Sequence, residues 1–156
     1  MDELDYFSIG WTAARLARQV EVALAPLDLT PAQYRMLVQL VRGPDVSSRL
    51  AEKLAVSAPS VTAVVEGLVL RGAVERAHSV EDRRLIALAL TELGRALLAS
   101  AEEALQDKLG SIAGELADEA SVASALDALK LWGEALDRAR ARRHSAKPSG
   151  ASGRGN

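Results

Sequence analysis

The chain has 156 residues, 49% hydrophobic, 26% charged and only 3% aromatic, with no cysteine and a formal net charge of −2. That length suits one small domain, or one domain with helical extensions, and abundant Ala and Leu beside few aromatics favour a helical core over a β-sandwich. The lack of cysteine excludes disulfides, thiolate metal sites and thiol redox sensing and suits a reducing cytoplasm; the acidic start Met1-Asp2-Glu3-Leu4-Asp5 lacks the basic opening of a secretory signal, and no apolar run approaches the ~20 residues of a membrane span.

Ile9, Ala13, Leu16, Val20 and Leu24 recur at helical spacing and predict a first helix from about Leu4 to Ala25, stopped by Pro26. A second opens at Thr30-Pro31-Ala32-Gln33, where Thr30 caps, Pro31 suits the first helical position and Gln33 completes a capping box. Its expected apolar face is Tyr34, Leu37, Val38 and Val41, and Gly43-Pro44 ends it. Ser47 is expected to cap a third helix, about Ser48 to Leu54, and Ser57 a fourth with Pro59 in its first turn. In the fourth, Val61, Val64, Val65, Leu68 and Val69 form one buried stripe. Its opposite face carries Ser60, Thr62, Ala63, Glu66 and Gly67, small enough for close approach to another surface, and Gly72 stops it.

Val74 to His78 and Leu85 to Leu90 read as two short strands around Ser79-Val80-Glu81-Asp82. The second run has helical propensity too, but its place between a loop and the cap Thr91 favours strand. A fifth helix is predicted from Glu92 to Leu116, a turn near Asp118, and a sixth helix from Ser121 to Arg142. The Gly/Ser-rich tail from His144 is predicted disordered. Gly110 and Gly114 match GxxxG, but Lys108 and Glu115 beside them point to chance or to close packing in water rather than a membrane motif.

Short helices followed by a hairpin tipped by Glu81-Asp82-Arg83-Arg84 make a helix-turn-helix with a wing, a shape suited to duplex DNA. Charge is distributed accordingly. Residues 1–30 hold two Lys/Arg and five Asp/Glu, residues 31–90 eight and six, residues 91–137 three and ten, and residues 138–156 six and none. Affinity for a polyanion depends on local positive charge, so an acidic total does not exclude a nucleic-acid partner. The fold class expected is mainly α with a small β-wing. Its divisions are an N-terminal dimerisation helix (1–29), the winged unit (30–91), C-terminal dimerisation helices (92–143) and the tail (144–156).

Five pieces in register resemble the MarR family of winged-helix transcription regulators. Leu29-Thr30-Pro31-Ala32-Gln33-Tyr34 looks like the opening of its second helix, and Leu50-Ala51-Glu52-Lys53-Leu54-Ala55-Val56-Ser57 like its third helix and turn. Pro59-Ser60-Val61-Thr62 resembles the start of its recognition helix, and Leu70-Arg71-Gly72-Ala73-Val74-Glu75-Arg76 the entry to its wing. Asp82-Arg83-Arg84 with Leu88-Ala89-Leu90-Thr91-Glu92-Leu93-Gly94 matches its wing and wing exit. The resemblance covers about Leu29 to Leu98. It implies a cytoplasmic homodimer that binds double-stranded DNA, needs no cofactor and answers to a small anionic or phenolic effector.

By this resemblance the fourth helix enters the major groove. Ser57, Ser60 and Thr62 would reach phosphates or bases, and Ala58 and Ala63, beside Pro59, would meet thymine methyls. Many relatives carry a basic residue where Ala63 stands, and no Lys or Arg lies between Lys53 and Arg71. In the wing, Arg84 would enter a narrow minor groove, oriented by Asp82 through a charge-assisted hydrogen bond. Arg83 would meet phosphate, Arg76 would brace the wing base or meet phosphate, and Lys53 would meet phosphate from the third helix. The plainer alternatives are a solvated helix face and a surface Asp–Arg pair of little energetic value.

Trp11, Arg15 and Tyr34 are the candidates for the effector pocket, because an aromatic and a cation suit such a ligand; the alternative places Trp11 in a dimer core and Arg15 in solvent. Arg138, Arg140, Arg142 and Arg143 form a basic helix end. His78 and His144 have no metal-ligand companions at helical spacing, and no nucleophile–base or phosphate-loop motif occurs, so an enzyme is not expected. The lack of any Lys or Arg in the fourth helix, beside the acidic net charge, leaves one alternative function, a winged-helix protein-interaction module that has lost strong DNA binding.

Overall fold

The computed structural model describes residues 3–78 and 84–145. The chain runs α1 (Glu3–Leu24), a 3-10 turn (Ala25–Leu27), α2 (Pro31–Leu40), β1 (Asp45–Val46), α3 (Ser47–Leu54), α4 (Ala58–Leu70), β2 (Val74–His78), β3 (Ile86–Leu90), α5 (Glu92–Ala113) and α6 (Glu119–Ser145). It forms two compact units, divided between Leu109 and Gly110. The first holds the hydrophobic core, where Leu24, Met36, Leu37, Leu40, Leu50, Leu68 and Leu88 are almost wholly buried. The second consists of the end of α5 and the long α6.

Pro26 does not end α1 by abrupt termination. It sits inside the 3-10 turn, where its missing N–H is harmless, and the left-handed Asp28 (φ 49°) closes that turn by donating its N–H to the Ala25 carbonyl at 3.0 Å. The capping box of α2 is formed as the sequence predicts. Thr30 Oγ1 accepts the Gln33 N–H at 3.2 Å, and Gln33 Oε1 accepts the Thr30 N–H at 3.0 Å. The buried face of α2 differs from the expected one: Met36, Leu37 and Leu40 are buried, Tyr34 and Val38 are partly buried, and Val41 is 47% exposed. The helix packs on both α3 and α4, which turns its buried stripe toward Met36 and Leu40, and Val41 lies beyond its last residue.

Ser47 is not the cap of α3. Val46 holds that position without a side-chain bond, and Ser47 is the first helical residue. The cause is β1, a two-residue strand that pairs antiparallel with β3 (Asp45 opposite Leu88, Val46 opposite Ala87). The sheet order is β1-β3-β2, and β2 runs antiparallel to β3 from Val74 opposite Leu90 to His78 opposite Ile86. With neighbours on both sides, β3 buries Ala87, Leu88 and Leu90, which explains a strand of almost unbroken apolar residues.

Ala55, at φ 54°, ends α3, and α4 leaves at an angle of 110° to it. A three-residue turn at that angle is helix-turn-helix geometry. Ser57 caps α4 by accepting the Ser60 N–H at 3.3 Å, and Gly72 at φ +70° ends it after Arg71. The fifth helix stops at Ala113, short of Leu116. The sixth starts at Glu119, where Asp118 accepts the Ser121 N–H at 2.7 Å, and it continues through His144 and Ser145, which the sequence assigned to the tail. Residues 146–156 of that tail lie outside the described residues.

Candidate nucleic-acid interface

The burial of α4 decides which of its side chains are available. Val61, Val65 and Leu68 are fully buried, and Val64 and Val69 pack against the same core. That leaves Ala58, Pro59, Ser60, Thr62, Ala63 and Glu66 exposed along the other face, next to the exposed cap Ser57. The hydroxyls on this face are already engaged. Ser57 Oγ and Ser60 Oγ share a hydrogen bond at 2.8 Å, and Thr62 Oγ1 donates to the Ala58 carbonyl at 3.1 Å.

Three contacts fix α4 and the helices around it. The Arg71 guanidinium at its C-terminus donates to the carbonyls of Leu27 (2.9 Å) and Asp28, joining the helix end to the turn after α1. Arg35 Nη2 donates to the Leu54 carbonyl at 2.7 Å, joining α2 to the end of α3. Gly67 faces α2 so closely that a Cβ there would lie 2.9 Å from Gln33 Nε2.

The cation that precedes α4 in sequence, Lys53, is not free in solution. Lys53 Nζ lies 2.7 Å from Asp45 Oδ2, and Arg49 Nε lies 2.6 Å from Asp45 Oδ1, which also accepts the Val46 N–H at 2.8 Å. Asp45 is buried, with 4% of its surface exposed, whereas the two cations are nearly half exposed. Burial alone would raise the Asp45 pKa, but the hydrogen bonds from Lys53, Val46 and Arg49 outweigh it and hold the carboxyl below its ordinary value. Asp45 and Arg49 were missed by sequence reasoning, although an acid followed by bases four and eight residues later was a readable signal.

In the wing, Arg76 is exposed on β2 opposite Leu88, and Arg84 is exposed just before β3. Asp82 and Arg83 lie outside the described residues, and the expected Asp82–Arg84 pair lies outside them too. The base of the wing is joined to α5. Thr91 donates its N–H to the Ala73 carbonyl (3.2 Å) and its hydroxyl to the Gly72 carbonyl (2.6 Å), while accepting the Gly94 N–H at 3.0 Å.

Of the three effector candidates, Tyr34 is half-buried and its Oη donates to Glu102 Oε1 at 2.8 Å, linking α2 to α5. Burial, that hydrogen bond and the charge of Glu102 together push the phenol pKa far up. Trp11 is 67% exposed on α1, and Arg15 is exposed there too. A small apolar cavity of about 50 Å³ lies elsewhere, between α2, α3 and α4, lined by Met36, Leu54, Val61 and Val64 among others and by none of the three candidates. Among the described residues no cluster of His, Asp or Glu could hold a metal ion, and no single helix is long and apolar enough to cross a membrane.

The model of the MarR family matches residues 27–85. A relative of known type is the HTH-type transcriptional repressor Rv2887 of Mycobacterium tuberculosis, 38% identical over 90 residues, which are 57% of this chain and 65% of that protein. The chain spans between about half and two thirds of the length of the curated relatives it matches. Among solved structures, wild-type apo MarR from E. coli superposes with a TM-score of 0.71 at 26% identity, covering 83% of this chain and 96% of that one. The transcriptional repressor CouR, bound to a 23-mer DNA duplex, superposes with a TM-score of 0.69 at 28% identity, covering 85% and 96%. Rv2887 in complex with p-aminosalicylic acid gives 0.66 at 28% identity, covering 85% and 99%.

Proposed function

We propose, because the chain belongs to the MarR family, that it is a dimeric, sequence-specific DNA-binding transcription regulator, a ligand-responsive repressor of a pseudo-palindromic operator. The observation that carries this is the α4 face: small and exposed, fixed by an opposite stripe packed into the core, with the cations of α3 and the wing outside it. It is supported by the likeness to CouR, which was solved on duplex DNA.

Two such faces are needed for useful affinity, because one unit carries only modest positive charge. The helical segments 1–29 and 92–143 would supply the pairing surface. Exposed Ile9 and Trp11 on α1 in the first unit, and Leu131, Trp132 and Leu136 on α6 in the second, are each apolar side chains that a second copy would cover. The recognition helices would then enter successive major grooves ~34 Å apart, with Arg84, Arg83 and Asp82 of each wing at the flanking minor grooves and Arg76 and Lys53 near phosphates. A small anionic or phenolic effector near Trp11, Arg15 and Tyr34 would favour a dimer spacing that no longer fits the operator, releasing it by differential affinity of two states. Rv2887 was solved with an aromatic acid, which supports that class of effector. The family's members are in general not enzymes, and we assign this chain no catalysis and a cytoplasmic location.

The test is titration onto duplex DNA from the region upstream of its own gene, at two salt concentrations, with random duplex as competitor. Tight, salt-dependent binding that survives the competitor is expected. Salt-insensitive capture of a protein partner without DNA binding would favour an interaction module instead.

A further inference from the structure

Groove readout has a limited chemical code. Guanine is met by Arg or Lys, adenine by Asn or Gln, cytosine by a carboxylate accepting from its N4 amino group, and thymine by apolar contact with its 5-methyl. From Ser57 to Leu70 the chain contains no Arg, Lys, Asn or Gln. Neither purine therefore has a bidentate partner on α4. What the exposed face does present is methyl and methylene surface from Ala58, Pro59, Thr62 and Ala63, then one carboxylate, Glu66. The bond between Ser57 and Ser60 commits one of their two hydroxyl protons, and the Thr62 hydroxyl proton is committed to the Ala58 carbonyl, so the three hydroxyls keep one free donor, which can make only a single hydrogen bond to a base.

Glu66 lies three residues after Ala63 and four after Thr62, so all three share one helix surface. A carboxylate facing phosphates would oppose binding; facing a cytosine amino group it accepts a hydrogen bond. Charge complementarity with the backbone comes from outside α4, from the Arg49–Asp45–Lys53 cluster and from Arg76 and Arg84.

We propose that α4 reads pyrimidines in the major groove: thymine 5-methyls against Ala58, Thr62 and Ala63, and a cytosine amino group against Glu66, with no bidentate guanine contact from the recognition helix. This rests on the DNA-binding function proposed above and adds to it the chemistry of the operator.

The test begins with selection of binding sites from a random-sequence duplex pool by the full-length protein. The selected duplex is then remade with uracil in place of thymine, one position at a time. Each methyl that is read should cost about fourfold in affinity when removed, the value of one buried methyl-sized group. Thr62→Ser, which keeps the hydroxyl and deletes the methyl, should weaken binding to the thymine duplex and leave binding to the matching uracil duplex unchanged. Glu66→Gln should remove the preference for cytosine at one position. Both side chains are exposed, so both variants should fold. An enriched site whose affinity ignores uracil replacement would overturn the inference while leaving the DNA-binding function intact. Failure to enrich any sequence would overturn the DNA-binding function itself.

Discussion

Replacing Gly94 by alanine tests how the wing is anchored. Gly94 lies in the first turn of α5, where a Cβ would stand 2.0 Å from the Ala73 carbonyl oxygen and 3.0 Å from its carbon. Both obstacles are backbone, so no side-chain rotation relieves them; α5 must move off the base of β2 by an ångström or more. That motion breaks the two bonds Thr91 makes to Ala73 and Gly72, each worth about 1 kcal/mol net. Overpacking adds about 1–3 kcal/mol, and alanine returns about 1 kcal/mol of helix propensity. The expected net loss is about 2–4 kcal/mol, a fall in Tm of roughly 5–15 °C for a chain of this size. Gly10→Ala in α1 is the control, because nothing lies within 4 Å of the Cβ it would gain; it should be neutral or slightly stabilising. Thermal and urea unfolding of both variants would decide the matter. A Gly94→Ala protein as stable as its parent would refute the close approach on which this reasoning stands.

Asp45→Asn should lower stability near neutral pH by about 1–3 kcal/mol, less than for a fully buried pair because Arg49 and Lys53 are nearly half exposed. The folded-state pKa of Asp45 is depressed, so its stabilisation is present above the ordinary carboxylate pKa and fades as pH falls through the folded value; urea unfolding should show the two proteins converging as pH falls below the ordinary carboxylate range. Tyr34→Phe should cost about 1 kcal/mol through the lost bond to Glu102. Because the folded phenol pKa is raised, that stabilisation is complete below the ordinary tyrosine value and is lost as pH rises through the folded one. The parent should therefore lose stability above about pH 10 more steeply than the Phe variant. Arg84→Ala should weaken DNA binding and reduce the slope of log affinity against log salt by about 0.9; an unchanged slope would remove Arg84 from the interface.

Local chemistry was the legible part of the sequence. The Thr30–Gln33 capping box, the valine stripe of α4 and the glycine stop at Gly72 each depend on residues within a turn or two of one another. What escaped depends on distant strands. A two-residue β1 has no periodicity to detect, yet its pairing with β3 displaces Ser47 from the cap. The partners of Tyr34 and Arg71 lie 68 and 43–44 residues away in sequence, beyond any spacing rule. Lys53, read as a phosphate contact, is also a partner of Asp45; the i, i+4, i+8 order was visible, but that Asp45 is buried was not. The outer face of α4 was readable by subtraction, once the valine stripe had taken the inner one.

These long-range bonds determine how a change at α5 would reach the reading surface. The helix is tied to the wing base through Thr91 and Gly94 and to α2 through Glu102 and Tyr34. From α2, Gln33 meets Gly67 in the middle of α4, and Arg71 holds the end of α4 to the turn after α1. The first two ties hold different edges of the winged unit, so a displacement of α5 that preserves both must carry the wing and α4 together. A displacement that breaks only the Tyr34–Glu102 bond would leave the wing attached and let α2 and α4 lag behind it. The two cases differ in what Tyr34→Phe does to effector response. If the unit moves as one body, the variant should keep DNA affinity but lose part of the coupling between effector and operator, because one of its two ties is gone. If the wing alone carries the motion, coupling should match that of the parent. Measuring operator affinity with and without a saturating effector, in both proteins, separates the two, since the coupling free energy is set by the logarithm of the ratio of those affinities and is independent of how tightly either protein binds alone.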